Sequence, residues 1–436
     1  MEELKQKIID YVDSHANDLA EILRSLVRIN SENPWFYNFQ QEHSEQKAQE
    51  FFADYIRDLG FEVDMWCPDL EELSAFEGKP GYVKGRSYKN RPVVCGVKKG
   101  EGGGKSLIFT GHMDTVQADG EWEVPAFSGE LVDGCIWGRG TVDQKGGIAS
   151  AMYVAKMFKD LGIKLKGDLV LETFCDEEAG GAGALSLVKK GYHGDAVIMT
   201  ECSELDICPM CNGIIWGKII IEGRAGHIEK KPPHWRDGGA ADAIDFAHLY
   251  LDHIERLNRE WEKTKDHPLM DYPGQMRVAQ IQGGEYPSAF AGHAEIIFNV
   301  QYRPCENDED HLGKNVIAQI QEFIDRVAQT DDWLREHPPK LEILLNTDGE
   351  ETPLPNEFVD TLAKTGHEMG LPMRVHCMSG HADIGWYIRA GMPTVIFGAG
   401  NSIHAHRPNE RIELAELLKA VKVMALTAIK WCGQAE

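Results

Sequence analysis

Residues 138–178 read GRGTVDQKGGIASAMYVAKMFKDLGIKLKGDLVLETFCDEE. The pattern predicts a helix over 147–161, then a strand over 168–174, then an abrupt run of acids. Runs of the same apolar kind recur at 92–97, 106–110, 195–200 and 394–397, and a second helical pattern covers 182–190. Short runs rich in Val, Ile, Leu and Phe, bounded by Gly and charge, suit strands buried on both faces. Strands alternating with helices give an α/β fold: a mostly parallel sheet covered by helices.

Outward from there the pattern changes near Asn212. A strand at 214–222 precedes a long helix at 239–263, strands at 276–283 and 294–302, a helix at 308–329 and a strand at 340–345. This β-α-β-β-α-β order describes an α+β insert. The α/β pattern then resumes with a helix at 356–369, the 394–397 strand and a closing helix from 414. The expected organisation is a catalytic domain of 1–211 and 347–436, interrupted by an inserted lid and dimerisation domain of 212–346. A length of 436 residues agrees with two domains. The segment GEGGGKS at 100–106 resembles a phosphate-binding loop, but it is one residue short and leads into a strand instead of a helix. A hairpin turn is the better reading.

A formal charge of −25 argues against counterion-displacing contact with nucleic acid and against adsorption to anionic membranes. The first 27 residues are charged and periodic, with Leu4, Ile8, Ile9, Val12, Leu19, Ile22 and Leu23 on an amphipathic helix, unlike a signal peptide. No stretch approaches the roughly 18 apolar residues of a membrane span. Ten scattered cysteines suit reduced thiols, so a cytoplasmic enzyme is expected. The lone CxxC at 208–211 reads as incidental.

Metal-competent side chains gather at the ends of the predicted elements. His112 and Asp114 follow the 106–110 strand, Asp143 precedes the 147–161 helix, and Glu177 and Glu178 follow the 168–174 strand. Glu201 follows the 195–200 strand, and His406 lies beyond the strand at 394–397. Open α/β sheets bind ligands beyond the carboxyl ends of their strands. Imidazole and carboxylate are the usual non-thiol ligands of zinc. Two metals about 3.5–4 Å apart can share one carboxylate, the part expected of Asp143. Asp114, two residues from His112, can accept the ligand's ring N–H and fix its tautomer. Of the adjacent Glu177 and Glu178, one can bind metal while the other handles the proton.

These stretches resemble a known family. GHMDTV (111–116), WEVPAFSGELVDGCIWGRGTVDQKGG (122–147), DEEAGGAG (176–183), the acid at Glu201, EGRAGH (222–227) and GAGNSIHAHRPNE (398–410) occur in the order found in one group of zinc-dependent enzymes. That group is the peptidase and deacylase family containing acetylornithine deacetylase, succinyl-diaminopimelate desuccinylase and glutamate carboxypeptidase. The resemblance implies that His112, Asp143 and Glu201 hold one divalent metal, while Asp143, Glu178 and His406 hold another. It further implies that Glu177 is the general base and that His227 stabilises the oxyanion across a dimer. A cis peptide after Asp143 is also implied. The chain departs from the family at Glu201-Cys202-Ser203, where Glu-Pro-Thr is common, and along 228–235. His404 is an extra imidazole beside His406.

The implied reaction is hydrolysis of an amide in a small N-acylated substrate, an N-acyl amino acid or similar metabolite, with peptidase action on short peptides as the alternative. A non-catalytic metal-binding protein would have no reason to keep Glu177. Zinc is the expected metal, though cobalt and manganese fit the same ligands. Arg303, at the end of an insert strand, is a candidate for a substrate carboxylate, or for a salt bridge. The expected assembly is a homodimer through the insert, whose sheet edge needs covering.

Overall fold

In the computed structural model, which describes residues 2–34 and 45–435, the quoted stretch folds as helix Lys145–Asp160 and strand Leu169–Phe174. The helix is buried almost throughout, because its Gly, Ala and Ser residues let it lie close to the sheet. A Cβ at Gly147 would fall 1.8 Å from the carbonyl oxygen of Thr200, so glycine is what brings this helix against the strand exit bearing Glu201. Ile148, Met152, Tyr153 and Phe158 join a core shared with the closing helix Leu414–Cys432 and the helix Ala16–Val27.

Four parallel strands form the middle of a nine-stranded sheet, in the order Leu169–Phe174, Leu107–His112, Val197–Met199 and Thr394–Ile396. Antiparallel neighbours flank them: Val93–Lys98 with Glu62–Trp66 on one side, and Ile207–Cys211 on the other. The sheet is thus mostly parallel at its centre and covered by helices, as its apolar runs require. All six residues of Leu107–His112 and of Leu169–Phe174 are buried.

Two local expectations fail. The segment 100–106 is not a hairpin: the strands it joins lie on opposite sides of Leu169–Phe174, so they do not pair with each other. The first 27 residues form two helices, Glu2–Ser14 and Ala16–Val27, because His15 leaves helical geometry (φ −118°, ψ 28°).

The chain divides into two compact units. One comprises Met1–Met210, Glu351–Met378 and Ala382–Glu436, and the other Cys211–Glu350 with Ser379–His381. The second unit carries a four-stranded antiparallel sheet in the order Gln275–Gly283, His293–Tyr302, Gly213–Glu222, Lys340–Asn346. Helices Ala243–Trp261 and Lys314–Ala328 pack on one face through Tyr250, Ile254, Ile320 and Phe323 against Ile219, Ile296 and Phe298. Lys314–Ala328 begins later than the pattern predicts. Asp308 Oδ1 accepts the amides of Asp310 (2.7 Å) and Leu312 (3.1 Å), a side-chain turn that competes with helix.

Candidate metal centre

The parallel strands deliver their carboxyl ends to one edge. His112 is the last residue of its strand, Glu177 and Glu178 follow Phe174 within four residues, and Glu201 lies two residues beyond Met199. His112 is fully buried. Its Nε2 lies 3.0 Å from Asp143 Oδ1 and 3.2 Å from Glu201 Oε1. The other oxygen of Asp143, Oδ2, faces His406 Nε2 at 2.9 Å, and that nitrogen is 3.1 Å from Glu178 Oε2. Asp143 therefore turns one oxygen to each of two donor sets, His112/Asp143/Glu201 and Asp143/Glu178/His406, each with its ligand atoms within 4.8 Å. The peptide joining Asp143 to Gln144 is cis.

The electrostatics fit cations at these two points. Among the described residues, the recorded ion pairs of Asp143, Glu178 and Glu201 are to imidazole, with no Lys or Arg. Burial and the nearby Asp143 carboxylate hold Glu178 up at about 7 and raise Glu201 above its ordinary range. Burial works against a charged His406, yet hydrogen bonds to Asp143 and Glu178 lift it to about 11. Asp143 is pulled down against its own burial by hydrogen bonds from the two imidazoles. So many carboxylates around two rings form a donor set of the type that holds two divalent cations.

Glu177 is different. Its Oε2 is 4.0 Å from His112 Nε2, and its carboxylate takes no hydrogen bond from any described residue. Burial, then the charges of Asp383, Glu178 and Glu201, push it well above the usual carboxylate range, with His112 opposing. An acid not committed to a partner and disposed to hold a proton suits general acid–base work.

Asp114 serves the backbone. The ring Nδ1 of His112 lies 2.8 Å from the carbonyl oxygen of Asp114 and 3.7 Å from its Oδ1. The carboxylate instead accepts the amides of Glu177 and Glu178, each at 3.2 Å, and Asn33 Nδ2 at 2.7 Å. Two further buried groups, neither assigned a role from the sequence, hold the site's loops. Gln144 donates to Glu201 and accepts the amide of His112 (3.1 Å). Glu410 accepts the amides of Gly140 (3.1 Å), Val142 (2.8 Å) and Asp143 (3.2 Å) and the Arg139 guanidinium (2.7 Å). Glu410 follows His406 by four residues, so one carboxylate ties the Asp143 loop to the His406 loop. His406 itself holds a left-handed backbone (φ 56°), uncommon outside glycine and concentrated at functional sites.

The other sequence-predicted residues lie in the second unit. His227 belongs to the short strand Gly226–His227, paired with Ala289–Phe290, and its side chain is 54% exposed. Arg303 spends Nε on Glu306 Oε2 (3.1 Å) and Nη1 on the carbonyl of Asp266 (3.1 Å).

Two cation-competent donor sets sharing an aspartate, with an uncommitted glutamate beside them, define a metal-dependent hydrolase. The chain belongs to the peptidase family M20/M25/M40, whose model matches residues 108–430. It is 29% identical to the N-formyl-4-amino-5-aminomethyl-2-methylpyrimidine deformylase of Halalkalibacterium halodurans, over 98% of this chain and 97% of that one. It is 26% identical to a succinyl-diaminopimelate desuccinylase of Bradyrhizobium, over 73% of this chain and 81% of the other. Its fold is similar to that of the di-peptidase Dug1p from Saccharomyces cerevisiae (TM-score 0.71, 16% identity, all of both chains covered).

Proposed function

We propose that this hydrolase cleaves the amide of a small N-acylated amine, with Glu177 as general base and zinc in both donor sets. The observation that carries the reading is the division of labour around His112. Asp143, Glu178 and Glu201 are engaged by imidazoles, whereas Glu177 lies next to them with its carboxylate free of hydrogen bonds from the described residues. When bound, the two metals supply Lewis acidity to the substrate carbonyl and to water, whose pKa falls from 15.7 toward about 7. Glu177 takes the proton of the attacking water on a carboxylate oxygen and delivers it to the leaving amine nitrogen. The imidazole of His227 donates to the oxygen of the carbonyl under attack.

Relatives matched over nearly their whole length support the acyl-amine reading over the peptidase one, since the peptidase likeness at 16% identity concerns the fold. The substrate class favoured is a short acyl group, formyl or a small dicarboxylic acyl, on a primary amine. The test is to load purified protein with zinc, cobalt or manganese and offer N-formyl aminopyrimidines, N-acyl amino acids, N-succinyl amino acids and dipeptides, scoring released amine. Faster cleavage of the acylated amines is expected. Turnover confined to dipeptides would overturn the substrate class, and turnover unaffected by chelation would overturn the metal.

The assembly proposed is a homodimer through the second unit. Its sheet ends in strands Gln275–Gly283 and Lys340–Asn346, and the first is mostly exposed, with Ile281 52% accessible. An open edge of this kind is a template for pairing. His227 then completes the partner's site, so mixing a Glu177→Gln protein with a His227→Ala protein should restore part of the activity. Heterodimers that form yet stay inactive would refute the trans role. Ten free cysteines support a reducing, cytoplasmic setting. No helix among the described residues is long and apolar enough to cross a membrane.

A further inference from the structure

Because no side-chain hydrogen bond from the described residues fixes Glu177, its position depends on its backbone. That backbone is held from two sides. Asp114 accepts the amides of Glu177 and Glu178. On the other side stands Asp176, fully buried, with a left-handed backbone (φ 70°). Its Oδ1 accepts Asn33 Nδ2 (2.9 Å) and Arg91 Nη2 (3.0 Å), and its Oδ2 accepts Arg86 Nη1 (2.7 Å) and the Tyr88 hydroxyl (2.8 Å).

Two of these four side chains also reach the rest of the loop. Arg86 Nη1 also donates to the carbonyl of Ala179 (2.9 Å), and the Tyr88 oxygen accepts the amide of Ala182 (2.9 Å). Asn33 bridges Asp176 to Asp114, and Arg91 is paired in addition with Glu45. The loop closes on its own anchor: the amide of Gly181 donates to the carbonyl of Asp176 (2.7 Å), and a Cβ at Gly181 would fall 1.7 Å from Asp176 Oδ2.

Glu178, one residue further, has independent anchors. Its Oε1 accepts the Val116 amide (3.2 Å) and its Oε2 meets His406 (3.1 Å). A slackened loop therefore leaves Glu178 tied at its carboxylate while releasing Glu177.

We propose that Asp176, clamped by Arg86, Tyr88 and Arg91, is a positioning residue for the base: it fixes the 176–182 loop so that Glu177 addresses the attacking water. A displacement of about 1 Å in a reacting group can cost on the order of 100-fold in rate. The clamp removes that freedom through charged hydrogen bonds, which are shorter and stronger than neutral ones.

The inference rests on the reading of Glu177 as base, and the test separates the two. Asp176→Asn and Tyr88→Phe are compared with wild type for kcat, KM, metal content and amide hydrogen exchange over 176–182, using the amide substrate the wild type turns over. Asp176→Asn should lower kcat by about 10- to 100-fold with KM within roughly twofold, two metals retained and faster exchange in the loop. Tyr88→Phe, which removes two hydrogen bonds and no charge, should lower kcat by a few-fold in the same pattern. An unchanged kcat in folded Asp176→Asn overturns the proposal, as does a loss that runs in step with metal loss. If Asp176→Asn does not fold, Tyr88→Phe decides: unchanged kcat and unchanged exchange overturn it. A Glu177→Gln enzyme that stays active discredits the base, whereas the exchange measurement reads the clamp regardless.

Discussion

Two loops of the first unit solve the same problem in opposite ways. The Asp143 loop, residues 138–144, is held by an acceptor brought from outside: Glu410 takes three of its backbone amides and the Arg139 guanidinium. The Glu177 loop, residues 176–182, carries its own acceptor, Asp176, and draws donors to it from Asn33, Arg86, Tyr88 and Arg91. In the first arrangement the buried acid joins two segments that each end in a candidate metal ligand. In the second it steadies a candidate base whose carboxylate has no hydrogen bond among the described residues. If the proposed roles hold, a shared chemical device, a buried carboxylate facing arginine, serves metal retention in one loop and aim in the other.

The largest expected effect tests the aim directly. Glu177→Gln should lower turnover by about 10²- to 10⁴-fold, the usual contribution of a general base, while metal content and melting temperature hold. Near-normal turnover would move the base elsewhere and dissolve the contrast. Glu410→Gln addresses the other loop. It leaves Arg139, only 2% exposed, without its buried counter-charge. Breaking a buried pair by removing one partner costs about 3–5 kcal/mol. Loss of support behind metal ligands typically weakens metal binding by about 10- to 100-fold. Urea denaturation and competition against a chelator measure the two effects. A Glu410→Gln protein of unchanged stability and metal affinity would mean that the loops are not joined through this carboxylate.

Legibility in the sequence follows the range of the interaction. The central strands and the 145–160 helix are readable because burial on both faces leaves an uninterrupted apolar run. The acids and imidazoles at strand ends are visible for the same reason: the run stops and a charged residue follows. The clamp on Asp176 is not visible, since Arg86 and Arg91 meet it across 90 and 85 residues and nothing periodic marks them. Glu410 is half visible, as the end of a recognisable motif whose partner loop lies 267 to 271 residues away. The hairpin expected at 100–106 fails because pairing depends on which strand inserts between two others, and that strand is read 60 residues later.

A third buried acid sharpens the comparison by lacking the arginine. Glu172 lies in the strand Leu169–Phe174, 2% exposed, with neutral partners: the Tyr387 hydroxyl donates to Oε2 (2.8 Å) and the Cys95 thiol approaches Oε1 (3.5 Å). Burial pushes it up to about 7, and the hydrogen bonds from Tyr387 and Cys95 only moderate the rise. The sign follows from the direction of the shift. The folded protein holds this proton at pH values where the unfolded chain, with an ordinary carboxyl near 4.5, has lost it. Glu172's contribution is therefore fully present below about 4.5 and is lost as pH rises through about 7. Glu172→Gln keeps a carbonyl to accept from Tyr387 and cannot ionise, so it should flatten this part of the pH dependence. Relative to wild type, the variant should gain on the order of 2 kcal/mol between pH 5 and pH 8. Urea midpoints of both proteins at the two pH values, in the same metal buffer, give the difference with the remaining titrations cancelling. Parallel pH profiles would show that Glu172 is charged in the fold despite having no guanidinium.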